Sequence, residues 1–118
     1  MNSFRMVYDA EGDIFDVNFR LVPEQASERG YELSDNVTMW TDAKLTRVHR
    51  LMFISYSKLL ETPTLKLSFL KKLSVTQRNK IQRALEHDPV KRFLVSRDKE
   101  KFLYSLVGPD VGSMVKAA

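Results

Sequence analysis

The sequence predicts an α+β fold: an antiparallel β-meander of four to five strands, one amphipathic helix over about residues 75–87, and a C-terminal β-hairpin. Three observations carry this. Phe15, Val17, Phe19 and Leu21 alternate with Asp16, Asn18 and Arg20, the period-two signature of a strand with one buried and one wet face. Ser74-Val75-Thr76-Gln77 has the form of a capping box at a helix start. Turn-forming residues at Asp9–Asp13, Thr41–Lys44 and Glu61–Pro63 divide the apolar segments into strand-sized pieces.

The elements follow in order. Phe4, Met6 and Tyr8 alternate with Arg5 and Val7 in a short first strand, and Asp9-Ala10-Glu11-Gly12-Asp13 turns the chain into the second, Phe15–Leu21. Val22-Pro23 ends that strand, because proline lacks the ladder donor, and Pro23–Gly30 reads as a polar surface loop. Tyr31, Leu33, Val37 and Met39 share one phase and read as a third strand, with Asp35 marking a bulge or a strand entry with Asn36. A fourth strand spans about Leu45 to Tyr56. It holds Leu51-Met52-Phe53-Ile54, the longest unbroken aliphatic and aromatic run, which reads as buried on both faces and as the structural centre.

After Glu61-Thr62-Pro63, Leu65, Leu67 and Phe69 alternate as a fifth strand, although Leu67, Leu70 and Leu73 also fit helical spacing. The helix starts with Ser74 as N-cap and turns Val75, Ile81, Ala84 and Leu85 to one side. His87 in its last turn suits the helix dipole, and Pro89 forces an exit. Phe93 and Val95, then Phe102, Tyr104 and Leu106, alternate across Arg97-Asp98-Lys99-Glu100 and predict the closing hairpin. The alternative is a C-terminal helix from Asp98 to Val107, stopped by Gly108-Pro109. The organisation expected is one domain over 1–118: a meander over 4–60, a helix-containing extension over 61–108 and a flexible tail over 109–118.

Composition narrows the function classes. A chain of 118 residues, 43% hydrophobic and 29% charged, suits one core. No apolar stretch approaches the roughly 20 residues that span a bilayer, and MNSFRMVYDAEGD lacks the apolar region of a secretory signal. With no cysteine, the chain has no disulfide, thiolate nucleophile or cysteine-ligated metal, and a cytoplasmic setting without a membrane partner is expected. Asn36-Val37-Thr38 matches a glycosylation sequon, but it is idle without a secretory route. The net charge of +4 hides an asymmetry. Residues 1–42 carry three basic and nine acidic side chains, whereas residues 43–118 carry sixteen basic and six acidic ones. The bland expectation is that the halves interleave and the charges mix; the alternative is an anionic partner for the basic half.

Several candidate chemistries can be weighed on spacing. Asp9, Glu11 and Asp13 have the one-three-five spacing of a calcium loop, but Ile14 stands where the loop needs glycine and Arg20 where it needs glutamate, so the segment reads as a solvated turn. His49 and His87 are isolated, without the spacing of a metal or acid–base site. No nucleophile elbow, P-loop or dinucleotide motif is present. Neither catalytic nor metal-ligating residues are assigned, and no cofactor is expected. Lys71, Lys72, Arg78, Lys80, Arg83, Lys91 and Arg92 form a basic stretch that could contact phosphates. Arg78, Lys80 and Arg83 are expected together on the helix side opposite Ile81 and Leu85. Trp40 and Tyr56, large aromatics near strand ends, are candidates for a protein interface, and a homodimer is favoured over a monomer.

Tyr8-Asp9-Ala10-Glu11-Gly12-Asp13 followed by Ile14-Phe15, then Val37–Asp42 and Leu51–Lys58, resemble the DUF2283 family of small bacterial proteins of unknown function. The likeness covers about residues 4–60. Residues 61–118 have no counterpart in it. The segment Ala43–Arg50 is longer than the family's turn, the glycine usual before the last strand is missing, and Met52 stands where that strand usually has an acidic side chain. The resemblance implies a β-meander and little chemistry. Members often stand beside candidate small toxins, which implies an antitoxin-like or interaction role. The expected function is therefore a non-enzymatic interaction module, antitoxin-like or self-associating. The alternative is a nucleic-acid-binding accessory protein using a basic surface at 71–92.

Overall fold

The computed structural model describes residues 4–19 and 28–109. Among them, β1 (Arg5–Asp9), β2 (Ile14–Asn18), β3 (Arg29–Glu32), β4 (Val37–Thr41) and β5 (Val48–Ile54) form one antiparallel sheet in the order β1-β2-β5-β4-β3. The short helix α1 (Tyr56–Glu61) leads to β6 (Thr64–Lys66), a 3-10 turn (Ser68–Lys72) and α2 (Val75–Leu85). A second 3-10 turn (Val90–Arg92) then precedes β7 (Leu94–Asp98) and β8 (Leu103–Leu106). β6, β8 and β7 make a second antiparallel sheet. The fold is the predicted α+β, with α2 and the C-terminal hairpin in place.

The hairpin prevails over the helix alternative because its turn has its own chemistry. The Asp98 carboxylate accepts the backbone N–H groups of Glu100 and Lys101, and Phe102 takes a left-handed φ of 59°. α2 starts where Ser74 accepts the Gln77 N–H at 3.2 Å. Ile81, Ala84 and Leu85 are buried as expected, but Val75 is 63% exposed. It sits roughly 100° around the helix from the buried stripe.

Five expectations need correction. The larger sheet is antiparallel but not a meander, because β5 inserts between β2 and β4 and leaves β2 and β3, consecutive in sequence, apart. The stretch 31–39 is two strands, not one. Leu33 and Ser34 both donate backbone N–H groups to the Val37 carbonyl, closing a turn through Asp35 and Asn36, so of the two alternatives there it is the strand entry, not the bulge, that the structure has, with β4 starting at Val37. The fourth expected strand is shorter, ending at Ile54, because Ser55 turns left-handed (φ 58°) and opens α1. Its apolar run is not buried on both faces. Leu51 and Phe53 are fully buried, whereas Met52 and Ile54 are half-buried on the opposite face. The expected fifth strand is only Thr64–Lys66, and Ser68–Lys72 follows the helical spacing instead. Residues 20–27 and 110–118, which include most of the expected Pro23–Gly30 loop and of the tail, lie outside the described residues.

The charge halves 1–42 and 43–118 do meet within the larger sheet, as expected: β5 from the second half lies between β2 and β4 from the first, and its Arg50 pairs with Asp16. Every strand of the larger sheet comes from residues 5–54 and every strand of the smaller from 64–106. They share one core. Phe15, Val17, Leu51, Phe53 and Met39 face Leu70, Ile81, Leu85, Leu94 and Tyr104 within a single buried cluster. β5 lies in the middle of its sheet because its inward Leu51 and Phe53 find apolar partners on both sides, Val17 and Phe15 on β2 and Met39 and Val37 on β4.

Candidate functional site

The acidic turn is used to hold the fold together. Asp13 accepts the Tyr8 hydroxyl at 2.7 Å, the Ser57 hydroxyl at 2.7 Å and the Ser57 backbone N–H at 2.9 Å. Burial pushes its carboxyl pKa up, but the bonds from Ser57 and Tyr8 outweigh that and leave it below the ordinary value of 3.8. Asp13 thereby caps α1 from the β1–β2 turn. Its left-handed φ of 55° is one that aspartate tolerates.

Asp42 is similarly occupied. Its carboxylate accepts the Thr46 hydroxyl and the backbone N–H groups of Thr46 and Arg47. Burial raises its pKa, and these bonds, with His49 nearby, bring it net below 3.8. His49 Nδ1 lies 2.9 Å from Glu28 Oε2, and both side chains are 11% exposed. His49 owes this position to a register shift: Trp40 pairs with Arg50 but Thr41 with Val48, leaving His49 as the extra residue of a bulge. No group of three or more His, Asp or Glu side chains able to hold a metal occurs among the described residues.

The seven basic residues of 71–92 do not act alike. Arg78 is not on the solvent side of α2. It lies one turn before Ile81 and Gln82, on the inner side. Its Nε donates to the Leu70 carbonyl (3.1 Å), its Nη2 donates to those of Leu73 (3.2 Å) and Lys71 (3.4 Å), and its guanidinium lies 5.5 Å from the Phe102 ring centre. Arg78 thus closes the end of the 3-10 turn Ser68–Lys72. Lys80 and Arg83 are exposed on the opposite side. Lys72 lies over Phe69, whose N–H bonds to Leu33 at the β3–β4 turn. Arg92 lies over Phe4, just before β1 at the other edge of the sheet. Four strand spacings, about 19 Å, separate those edges. Lys71 and Lys91 are exposed beside Lys72 and Arg92 in sequence. Arg78→Ala is expected to destabilise the fold by about 1–3 kcal/mol, because it strands partly buried carbonyls. Arg83→Ala is expected to stay within about 0.5 kcal/mol. Urea denaturation of the two variants checks both values.

The two aromatic candidates also part. Tyr56 is fully buried, its hydroxyl donating to the Pro109 carbonyl at 2.7 Å and its ring 4.6 Å from that of Phe15. It fills the core and is not an accessible interface residue. Trp40 is half-buried on the outer face of the larger sheet, with the Arg50 guanidinium 4.5 Å from its ring centre. Gly30 lets the indole lie across β3, since a Cβ there would come within 2.9 Å of Trp40 Nε1.

That outer face is the surface the sequence reading missed. Cross-strand pairing aligns Val7, Asp16, Met52, Thr38 and Glu32 in one row, and Arg5, Asn18, Arg50, Trp40 and Gly30 in the next. Ile14 and Ile54 adjoin them. Ile14, Met52, Ile54 and Trp40 are half-buried, and Arg50 forms a two-pronged ion pair with Asp16 in their midst. The signal was present, because alternation applied inside the run Leu51–Ile54 assigns Met52 and Ile54 to this face. A separate, largely polar cleft of about 280 Å³ lies between the Ser34–Asn36 turn, Leu59, Thr62 and the segment Thr64–Ser68. Comparison with protein-family models, curated proteins and solved structures found no match to this chain.

Proposed function

We propose that the protein is a non-enzymatic interaction module that binds a protein partner through the outer face of its larger sheet. The carrying observation is that face: Ile14, Met52, Ile54 and Trp40, half-buried on the sheet around the Asp16–Arg50 pair. An apolar patch with an aromatic and an arginine at its centre has the composition of interface cores. Two carboxylates of the turns, Asp13 and Asp42, are meanwhile engaged in the fold, Asp13 with Tyr8 and Ser57, Asp42 with Thr46 and Arg47. The resemblance read from residues 4–60, whose family has toxin-adjacent members, implies an antitoxin-like role for this chain with a small toxin as the partner. The cysteine-free composition fits a cytoplasmic setting.

The test is co-elution of the chain with proteins encoded beside it, repeated with the double variant Met52→Asp, Ile54→Asp. A partner that co-elutes with the wild type is expected to lose at least about tenfold in affinity, since truncated or charged hot spots cost 2 kcal/mol or more. Undiminished binding by the variant overturns the reading. One observation favours a second reading, nucleic-acid binding: residues 64–109 carry eleven basic and four acidic side chains. Binding to generic DNA or RNA at about 50 mM salt that weakens steeply as salt rises would move the function to that basic unit.

A further inference from the structure

The four sheet edges among the described residues are not equally guarded. β6 is three residues long and carries Lys66. β7 has a register shift between Ser96 and Asp98. β3 has four residues, one of them Gly30 with no side chain to pack across an edge. Shortness, bulges and charges are the devices that keep an edge strand from pairing with another chain. β1 is five residues long and pairs with β2 without a register shift. At its middle, Met6 is 46% and Val7 55% exposed.

The phase of the hydrogen-bond ladder shows which backbone groups β1 offers. The Phe19 N–H donates to the His49 carbonyl, and the Ile54 N–H to that of Asn36. Alternation along antiparallel strands then points Phe15 and Val17 at β5, and Ile14, Asp16 and Asn18 at β1. Through the register of the first hairpin, Arg5, Val7 and Asp9 point back at β2. Met6 and Tyr8 are left with their N–H and carbonyl groups directed out of the sheet.

We propose that β1 pairs antiparallel with β1 of a second copy, across a two-fold axis through Val7, joining two five-stranded sheets into one of ten strands. In this register Met6 and the partner's Tyr8 exchange hydrogen bonds, twice by symmetry. Val7 meets the partner's Val7 in a non-hydrogen-bonded pair, where side chains approach most closely. Arg5 lies opposite the partner's Asp9, and Asp9 opposite the partner's Arg5, so the strand is complementary to itself in charge as well as in ladder phase. β3 cannot do the same, because Arg29 and Glu32 are three apart and lie on opposite faces. The inference goes beyond the outer-face reading and does not depend on it, but the two are continuous in space. One sheet face measures roughly 400 Å², and two joined edge to edge about 800 Å², the usual share of one partner in a stable interface.

Three measurements on the full chain test this. Sedimentation from about 1 to 200 µM, a range that brackets a micromolar Kd, is expected to show a monomer–dimer equilibrium. The sequence has no cysteine, so a single introduced one reports cleanly. Val7→Cys is expected to give a disulfide-linked dimer under mild oxidation at a concentration where Thr76→Cys, exposed on α2, stays monomeric. Arg5→Asp and Asp9→Arg are each expected to weaken the dimer about tenfold, and the two together to restore it. Asp9 also accepts the Glu11 N–H within its turn, so recovery in the double variant separates the interface effect from a loosened turn. A chain that remains monomeric throughout, with Val7→Cys linking no faster than Thr76→Cys, overturns the proposal. So does a dimer that the charge exchange fails to restore. Either failure leaves the outer-face reading standing, because that reading is tested by Met52→Asp, Ile54→Asp against a heterologous protein.

Discussion

Phe93→Ala is expected to lower the unfolding free energy by about 3–5 kcal/mol, a large share of the roughly 5–15 kcal/mol that holds a domain folded. Phe93 precedes β7, is 2% exposed, and enters the aromatic cluster of the larger sheet. Its ring centre lies 5.4 Å from that of Phe4, 5.9 Å from Phe15 and 5.7 Å from Phe19. Phe15 in turn lies 6.0 Å from Phe53 and 4.6 Å from Tyr56. The Val107 N–H donates to the Phe93 carbonyl, so the backbone is pinned and cannot easily close over the hole left by the ring. Phe93→Leu keeps most of the volume and should cost under about 1.5 kcal/mol. Trp40 is the only tryptophan and lies in the larger sheet, so its fluorescence reports that sheet, whereas far-UV circular dichroism reports both. The expected result in urea is a single coincident transition, moved to lower denaturant in the alanine variant. A Trp40 transition that does not move would mean that the smaller sheet does not stabilise the larger.

What the sequence showed and what it hid divide along the range of the interactions. β2, α2 and the final hairpin were legible because local pattern decides them: alternation in Ile14–Asn18, the Ser74 cap, and the Asp98 turn. The misreadings lie where contacts distant in sequence decide. α1 is only six residues long and is held by Asp13, more than forty residues away, which no window of sequence reveals. Arg78 looked like one more solvated cation until the carbonyls of Leu70, Lys71 and Leu73 claimed it. Tyr56 looked like an interface aromatic because it is large and stood near a predicted strand end. The fold buries it by starting a helix there. The outer face was hidden for a different reason. Four consecutive apolar residues in β5 mask the period of two, and only the register with β2 and β4 separates Leu51 and Phe53 from Met52 and Ile54.

Asp13→Ala is expected to cost about 2–3 kcal/mol, because it removes a charged acceptor from three donors and the cap from α1. Asp13→Asn should cost less, since asparagine tolerates the left-handed φ and keeps one acceptor oxygen. The same site sets a pH dependence with two flanks. The Asp13 carboxyl titrates below its ordinary 3.8 in the folded protein, so its contribution is present above that value and is lost as pH falls through the folded pKa. The Tyr8 hydroxyl, donating to that carboxylate, is raised above its ordinary 10.0; its contribution is complete below pH 10 and is lost as pH rises through the folded value. Stability should therefore be level between about pH 4 and pH 10 as far as this pair is concerned, and should fall outside that window. Asp42 also titrates low and contributes its own share of the acid flank, so the test is a difference. Thermal melts of the wild type and Asp13→Asn from pH 2 to pH 11 should converge toward both ends and differ most in the middle. A constant offset across the whole range would assign the loss at residue 13 to packing and not to the ionised cap. The alkaline flank tells the donors apart. Tyr8→Phe should remove the Tyr8 share of it, leaving the share of Tyr104, which burial pushes up to about 12, and should leave the acid flank largely in place, because Ser57 still supplies two of the three bonds to the carboxylate.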